Sequence, residues 1–120
     1  MTTVMIVEDE FLLREIGAEV LNDAGYDVVE AHDASEAMEV LEHRRDIALV
    51  FTDIRMPGPM DGLALAERVH ERWPAIKLLV TSGHMRLSDD ELPDHGVFLA
   101  KPYLWRDLTQ RVESLLTRYH

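Results

Sequence analysis

The chain of 120 residues contains no cysteine. It can form no disulfide and can hold no zinc on thiolates, and this usage fits a reducing compartment. Basic residues are scarce: 12 lysines and arginines stand against 23 aspartates and glutamates, a formal net charge of −11. So acidic a chain repels nucleic acids and anionic membrane surfaces, and neither is expected as a direct partner. Long apolar runs are missing too. The longest uninterrupted aliphatic or aromatic stretch is Ile47 to Phe51, far below the roughly 20 residues a membrane span requires. The opening MTTVMIVEDE has no basic region and carries acids where a signal peptide would be apolar. The cytoplasm is the expected location. With 47% hydrophobic and 29% charged residues, the composition is that of a globular protein, and the length is that of one domain, residues 1–120.

Two kinds of segment alternate along the chain. Short apolar runs lie at Val4–Val7, Val28–Val29, Ile47–Phe51, Ile76–Val80 and Val97–Ala100. Between them are stretches with helical spacing, such as Leu13, Ile16, Val20 and Leu21, or Leu104, Leu108, Val112, Leu115 and Tyr119. Boundary residues agree. Gly25 suits the C-terminal cap of the first helix. Asp33 precedes Glu36 at capping-box spacing. Asp61-Gly62 opens the third helix, and Trp73-Pro74 ends it. The fourth helical segment, Leu87 to His95, contains Pro93 and three adjacent acids, so a short or irregular element is expected there. Five such β–α repeats imply an α/β fold, a doubly wound parallel sheet with helices on both faces.

In an open parallel sheet the functional crevice lies outside the carboxyl ends of the strands. Those ends carry Glu8-Asp9-Glu10, Glu30-Ala31-His32, Thr52-Asp53, Thr81-Ser82-Gly83 and Lys101-Pro102. Several carboxylates at one point repel one another and call for a counter-charge. A hard cation such as Mg²⁺, which takes carboxylate, water and phosphate oxygens, satisfies them. A lysine and a hydroxyl beside it can bind the remaining oxygens of a phosphoryl group. Asp53 is then a candidate nucleophile, giving an acyl phosphate.

With these residues in order, the chain resembles the receiver domain of bacterial two-component response regulators over its whole length. The resemblance rests on Glu8-Asp9 after VMIV, Asp53 in VFTDIRMP, Met60-Asp61-Gly62, Thr81 in LLVTSG, and Lys101-Pro102 in FLAKPY. It implies a flavodoxin-like (βα)₅ fold with strand order 2-1-3-4-5. It implies that Asp53 is the phosphoacceptor. Mg²⁺ would be held by Asp9, Asp53 and the main-chain carbonyl of Arg55, with Glu8 acting mainly through bound water. Lys101 would pair with the phosphoryl oxygens, Thr81 would turn to hydrogen-bond them, and Phe98 would be the switch aromatic. The Lys101-Pro102 bond is expected to be cis. A sensor histidine kinase or histidine phosphotransfer protein would donate the phosphoryl group. A downstream protein would read a face built by the fourth helix, fifth strand and fifth helix.

The chain departs from the family pattern in two places. The Met56–Gly62 loop is one residue longer than usual, and phenylalanine replaces the frequent tyrosine at position 98. Arg55, two residues after Asp53, stands where the family sets the lifetime of the phosphoryl group. Two other readings compete. A Mg²⁺-dependent phosphatase of the haloacid dehalogenase type would want an aspartate where Arg55 stands. A pseudo-receiver, binding partners without phosphorylation, would not need Glu8, Asp9, Asp53, Thr81 and Lys101 together. The expectation is therefore a signalling phosphoacceptor, not an enzyme, and a stand-alone one. His32, His43, His70, His84, His95 and His120 show no metal-ligand spacing and read as surface residues, while Trp73 and Trp105 read as helix anchors.

Overall fold

The computed structural model describes residues 1–83, 86–92 and 96–117. Nine elements alternate among them: β1 Thr3–Val7, α1 Phe11–Asp23, β2 Asp27–Ala31, α2 Ala34–His43, β3 Ile47–Asp53, α3 Gly62–Arg72, β4 Lys77–Ser82, β5 Val97–Ala100 and α4 Trp105–Thr117. The strands pair parallel in the order β2-β1-β3-β4-β5. This is the flavodoxin-like arrangement expected. The expected fourth helix is, in its described part, a single 3₁₀ turn at Asp89–Glu91. The Ser88 amide and hydroxyl both donate to Glu91 Oε1, at 2.9 and 3.0 Å, the glutamate half of a capping box at the start of the turn. The fifth helix of the sequence reading is thus α4. Pro93, His84, His95, Tyr119 and His120 lie outside the described residues.

Parallel strands need crossovers, and the crossovers cover both sheet faces. Side chains alternate accordingly. Met5, Val7, Val50 and Val80 pack with α2 and α3, whereas Val4, Ile6, Leu49 and Phe51 pack with α1 and α4. All five residues of β1 are buried, because an interior strand serves both layers. One irregularity marks β3. Thr3 pairs with Ile47 but Val4 pairs with Leu49. The extra residue, Ala48, flips the alternation, so Ile47 joins the α2–α3 layer while Leu49 joins the other.

The helix boundaries follow from side-chain and glycine chemistry. At the end of α1, Gly25 takes φ +102°. Its amide bonds to the Asn22 carbonyl at 3.0 Å, and that of Tyr26 to Leu21 at 3.1 Å, a Schellman closure. Asp33 caps α2 by accepting from the Glu36 amide at 2.8 Å. The return half of the box shifts by one residue: Glu36 Oε1 accepts from the His32 amide at 2.7 Å. Asp61 caps α3 through the Ala64 amide at 2.9 Å. Trp73, before Pro74, is the C-cap of α3, and Arg72 lies over its ring at 4.6 Å.

The apolar stripe of α1 differs from the sequence reading. Ile16 is exposed, and the buried positions are Gly17, Ala18 and Leu21. Small residues decide this, because a Cβ on Gly17 would stand 2.5 Å from Ile6 Cδ1. In α4 the stripe holds for Leu108, Val112 and Leu115, which are buried, while Leu104 precedes the helix and is exposed. No helix among the described residues is long and apolar enough to cross a membrane.

Candidate functional site

The chain reverses direction across the sheet between β1 and β3, and a crevice opens at the carboxyl ends of such neighbours. Register brings the acids together there. Val7 pairs with Thr52, so Glu8 and Asp53 are the next residues along two adjacent strands. One carboxylate oxygen from each of Glu8, Asp9 and Asp53 lies within 4.8 Å of the others. Glu8 and Asp53 are buried, at 8% exposure each, and Asp9 is exposed. At that separation each ionised pair repels by about 3 kcal/mol at an effective dielectric near 20.

Lys101 provides the counter-charge. Its chain leaves the end of β5, where its amide bonds to the Ser82 carbonyl at 3.1 Å and Lys101-Pro102 is cis. The ammonium donates to Asp53 Oδ2 at 2.7 Å and stands 3.8 Å from Glu8 Oε1. Partial burial disfavours the Lys101 ammonium, but the bond to Asp53 and the charges of Asp53, Glu8 and Glu10 outweigh it and raise the pKa. One ammonium does not neutralise three carboxylates. Burial raises the pKa of Glu8, against the Glu10 amide bond and Lys101, and the charge of Asp53 raises it further. An all-oxygen donor set with unbalanced negative charge fits a hard divalent cation.

The other expected residues surround this centre. Asp53 pairs in register with Thr81. The Thr81 hydroxyl is buried and donates to the Leu99 carbonyl at 2.5 Å. Phe98 is half-buried on β5 and packs against the α2–α3 layer. The Arg55 amide donates to Asp53 Oδ1 at 3.3 Å, while its side chain is exposed. Asp9, Ile54, Arg55, Met56, Pro57 and Asp61 line a groove of about 480 Å³ beside the acids. The lengthened loop forms one wall of it. Among the described histidines, His32 and His43 are exposed and His70 is half-buried.

The contacts of three residues of the site escaped the sequence reading. Gly62 packs on the end of β3, its amide bonded to the Ile54 carbonyl at 2.8 Å; Met60-Asp61-Gly62 carried the resemblance and Asp61-Gly62 a helix start, but neither signalled this contact. Tyr103 stands edge-on to Phe51 and to Trp105. Burial, reinforced by the charges of Glu8 and Asp53, raises its pKa. Its place two residues after Lys101 was the available signal. Arg14, on the first turns of α1, donates to the Glu8 carbonyl at 2.9 Å. Nothing in the local sequence distinguishes it from a surface arginine.

The fold and the acid cluster define a doubly wound α/β domain with an oxygen-rich, cation-ready crevice at the ends of β1 and β3. Residues 4–113 match the family model of the response regulator receiver domain, and the chain belongs to that family, whose members are two-component signalling domains. It is 32% identical over 119 residues to the response regulator receiver protein CpdR of Brucella abortus, covering 97% of this chain and 98% of that protein. It is 35% identical over 120 residues to the transcriptional regulatory protein PdtaR of Mycobacterium tuberculosis, covering 97% of this chain but 57% of that protein. A response regulator receiver protein from Sinorhizobium medicae shares the fold with a TM-score of 0.88 at 31% identity, covering 97% of this chain and 94% of the other.

Proposed function

We propose that residues 1–120 form one receiver domain that takes a phosphoryl group onto Asp53 from a phosphohistidine on a sensor kinase or phosphotransfer protein. The observation that carries this is the Lys101–Asp53 contact of 2.7 Å inside a three-carboxylate cluster. An Asp53 oxygen attacks phosphorus, the P–O bond forms, the P–N bond to the donor imidazole breaks, and the imidazole keeps the bonding pair. Asp9, Asp53 and the Arg55 carbonyl would hold Mg²⁺, with Glu8 assisting through water. When bound, the ion lowers the repulsion between the carboxylate and the incoming phosphate. The Lys101 ammonium moves from Asp53 to the new phosphoryl oxygens.

Transfer leaves Thr81 and Phe98 to report the change. Thr81 would exchange its Leu99 partner for a phosphoryl oxygen. Phe98, half-buried on the edge strand, would follow it inward. The face formed by the 3₁₀ turn, β5 and α4 would then favour a protein target, a population shift driven by a local charge. The 3₁₀ turn spans three residues, a short element of the kind that suits movement. The domain acts as a signal acceptor, with phosphoryl loss to water as its only hydrolytic step.

Intact mass after incubation with acetyl phosphate and Mg²⁺ tests this reading. One added phosphoryl group is expected, absent with EDTA during labelling and absent in Asp53→Ala. Unlabelled protein that still binds Mg²⁺ would point to strict dependence on a protein donor. Unlabelled protein without Mg²⁺ binding would overturn the reading in favour of a pseudo-receiver.

A further inference from the structure

Arg14 lies one turn into α1, and its side chain is only 15% exposed. Such burial is uncommon for an arginine without partners, and here the partners are specific. Nη1 donates to the main-chain carbonyl of Glu8 at 2.9 Å, and Nε donates to Glu30 Oε1 at 3.2 Å. The guanidinium also stands 5.4 Å from the Phe11 ring centroid. The Glu8 carbonyl belongs to the peptide that carries Asp9. The peptides on either side of it are held as well: the Glu8 amide bonds to the Ala31 carbonyl at 3.0 Å, and Glu8 Oε2 accepts the Glu10 amide at 3.0 Å. The Asp9 side chain is exposed and shares a hydrogen bond with the Glu8 carboxyl, the residue whose carbonyl Arg14 holds. Its direction therefore depends on the Glu8 turn beneath it.

We infer that Arg14 is a positioning residue for the acidic turn: by clamping the Glu8 carbonyl to the Glu30 carboxylate it orients Asp9 toward Asp53 and prepares the turn to hold a divalent cation. This rests on the metal role proposed for Glu8, Asp9 and Asp53. It makes a counter-intuitive demand on charge. A cation close to a cation site weakens it by repulsion, so an Arg14 that merely balanced the acids would oppose Mg²⁺ binding. A clamp promotes it. The planar fork reaches two acceptors at once, which the point charge of lysine does not reproduce. Groups that orient metal ligands typically change affinity about ten-fold or more when removed.

Calorimetric titration of Mg²⁺ into the full chain separates the cases. Arg14→Met and Arg14→Lys should both bind Mg²⁺ about ten-fold more weakly than the parent. Arg72→Met, which removes the same charge at the far end of α3, should stay within two-fold. A tighter Arg14→Met with an unchanged Arg14→Lys would overturn the clamp in favour of plain charge balance. A second readout needs no metal. The ¹⁵N order parameter of the Asp9 amide should fall in both Arg14 variants, and unchanged values would overturn the inference. The lysine variant keeps charge and bulk, so the test survives if the methionine variant fails to fold. A parent chain that binds no Mg²⁺ would overturn the underlying metal reading itself, whereas parent binding with unaltered variants would overturn only the role of Arg14.

Discussion

Gly62 opens α3 against the backbone of Asp53 so closely that a Cβ on Gly62 would lie 1.9 Å from the Asp53 carbonyl oxygen. The obstacle is main chain, not a side chain that can turn away. Gly62→Ala must push α3 off the end of β3 or move the proposed acceptor itself. Overpacking of this kind costs about 1–3 kcal/mol or more. We expect a lowered urea midpoint together with slower labelling by acetyl phosphate. A variant with the parent's midpoint and labelling rate would show that the contact is dispensable.

Lys101 is the one ammonium bonded to Asp53 among the described contacts. Lys101→Met keeps the length of the stem and removes the charge. Losing one preorganised donor to developing phosphoryl charge typically costs about 10²–10³ in rate. Labelling at saturating Mg²⁺, followed by mass spectrometry, should slow by about a hundred-fold, while Mg²⁺ affinity should not weaken, because a neighbouring cation has been removed. A rate within a factor of two of the parent's would exclude the role.

Gly25 offers a control outside the site. It adopts φ +102°, and nothing lies within 4 Å of a Cβ built there. Gly25→Ala therefore tests backbone conformation alone. An L-residue in the left-handed region costs about 1–2 kcal/mol. The denaturant midpoint should fall accordingly, with the labelling rate of the folded fraction unchanged. An unaltered midpoint would mean that the Schellman closure of α1 adds nothing.

Glu36 couples stability to acid. The His32 amide, then the His32 ring, hold its carboxyl below the ordinary value of 4.5. A depressed folded pKa adds stability that is fully present above the unfolded value and is lost as pH falls through the folded one. Glu36→Gln should thus be less stable than the parent at pH 7. The gap should narrow below about pH 4.5 and close in stronger acid. Urea midpoints of the two proteins across pH 3–7 measure it, and a gap independent of pH would refute the assignment.

The acidic site was legible because its residues sit at strand ends, where a parallel sheet projects them into one crevice. Glu8, Asp9, Asp53, Thr81 and Lys101 needed only strand order to meet. The face of α1 was less legible. Its spacing pointed to Ile16, yet Gly17 and Ala18 are buried, because the close approach of α1 to Ile6 selects for small size rather than apolarity. The offset in β3 left no trace either, since Ala48 within an apolar run looks like any other strand residue. Arg14 and Gly62 act on main-chain carbonyls, and a carbonyl leaves no signature in side-chain pattern. A short or irregular fourth element was expected from Pro93 and the acids at 89–91, and its described part is a single 3₁₀ turn.

Lys101 also has a mechanical meaning. It leaves β5, at the rim of the sheet, and passes over the end of β4 to reach Asp53 on β3. A single aliphatic stem thus straps the outermost strand to the middle of the molecule. Whatever alters the anion at its tip changes the pull on that strap, and the rim is where a neighbouring protein would feel it.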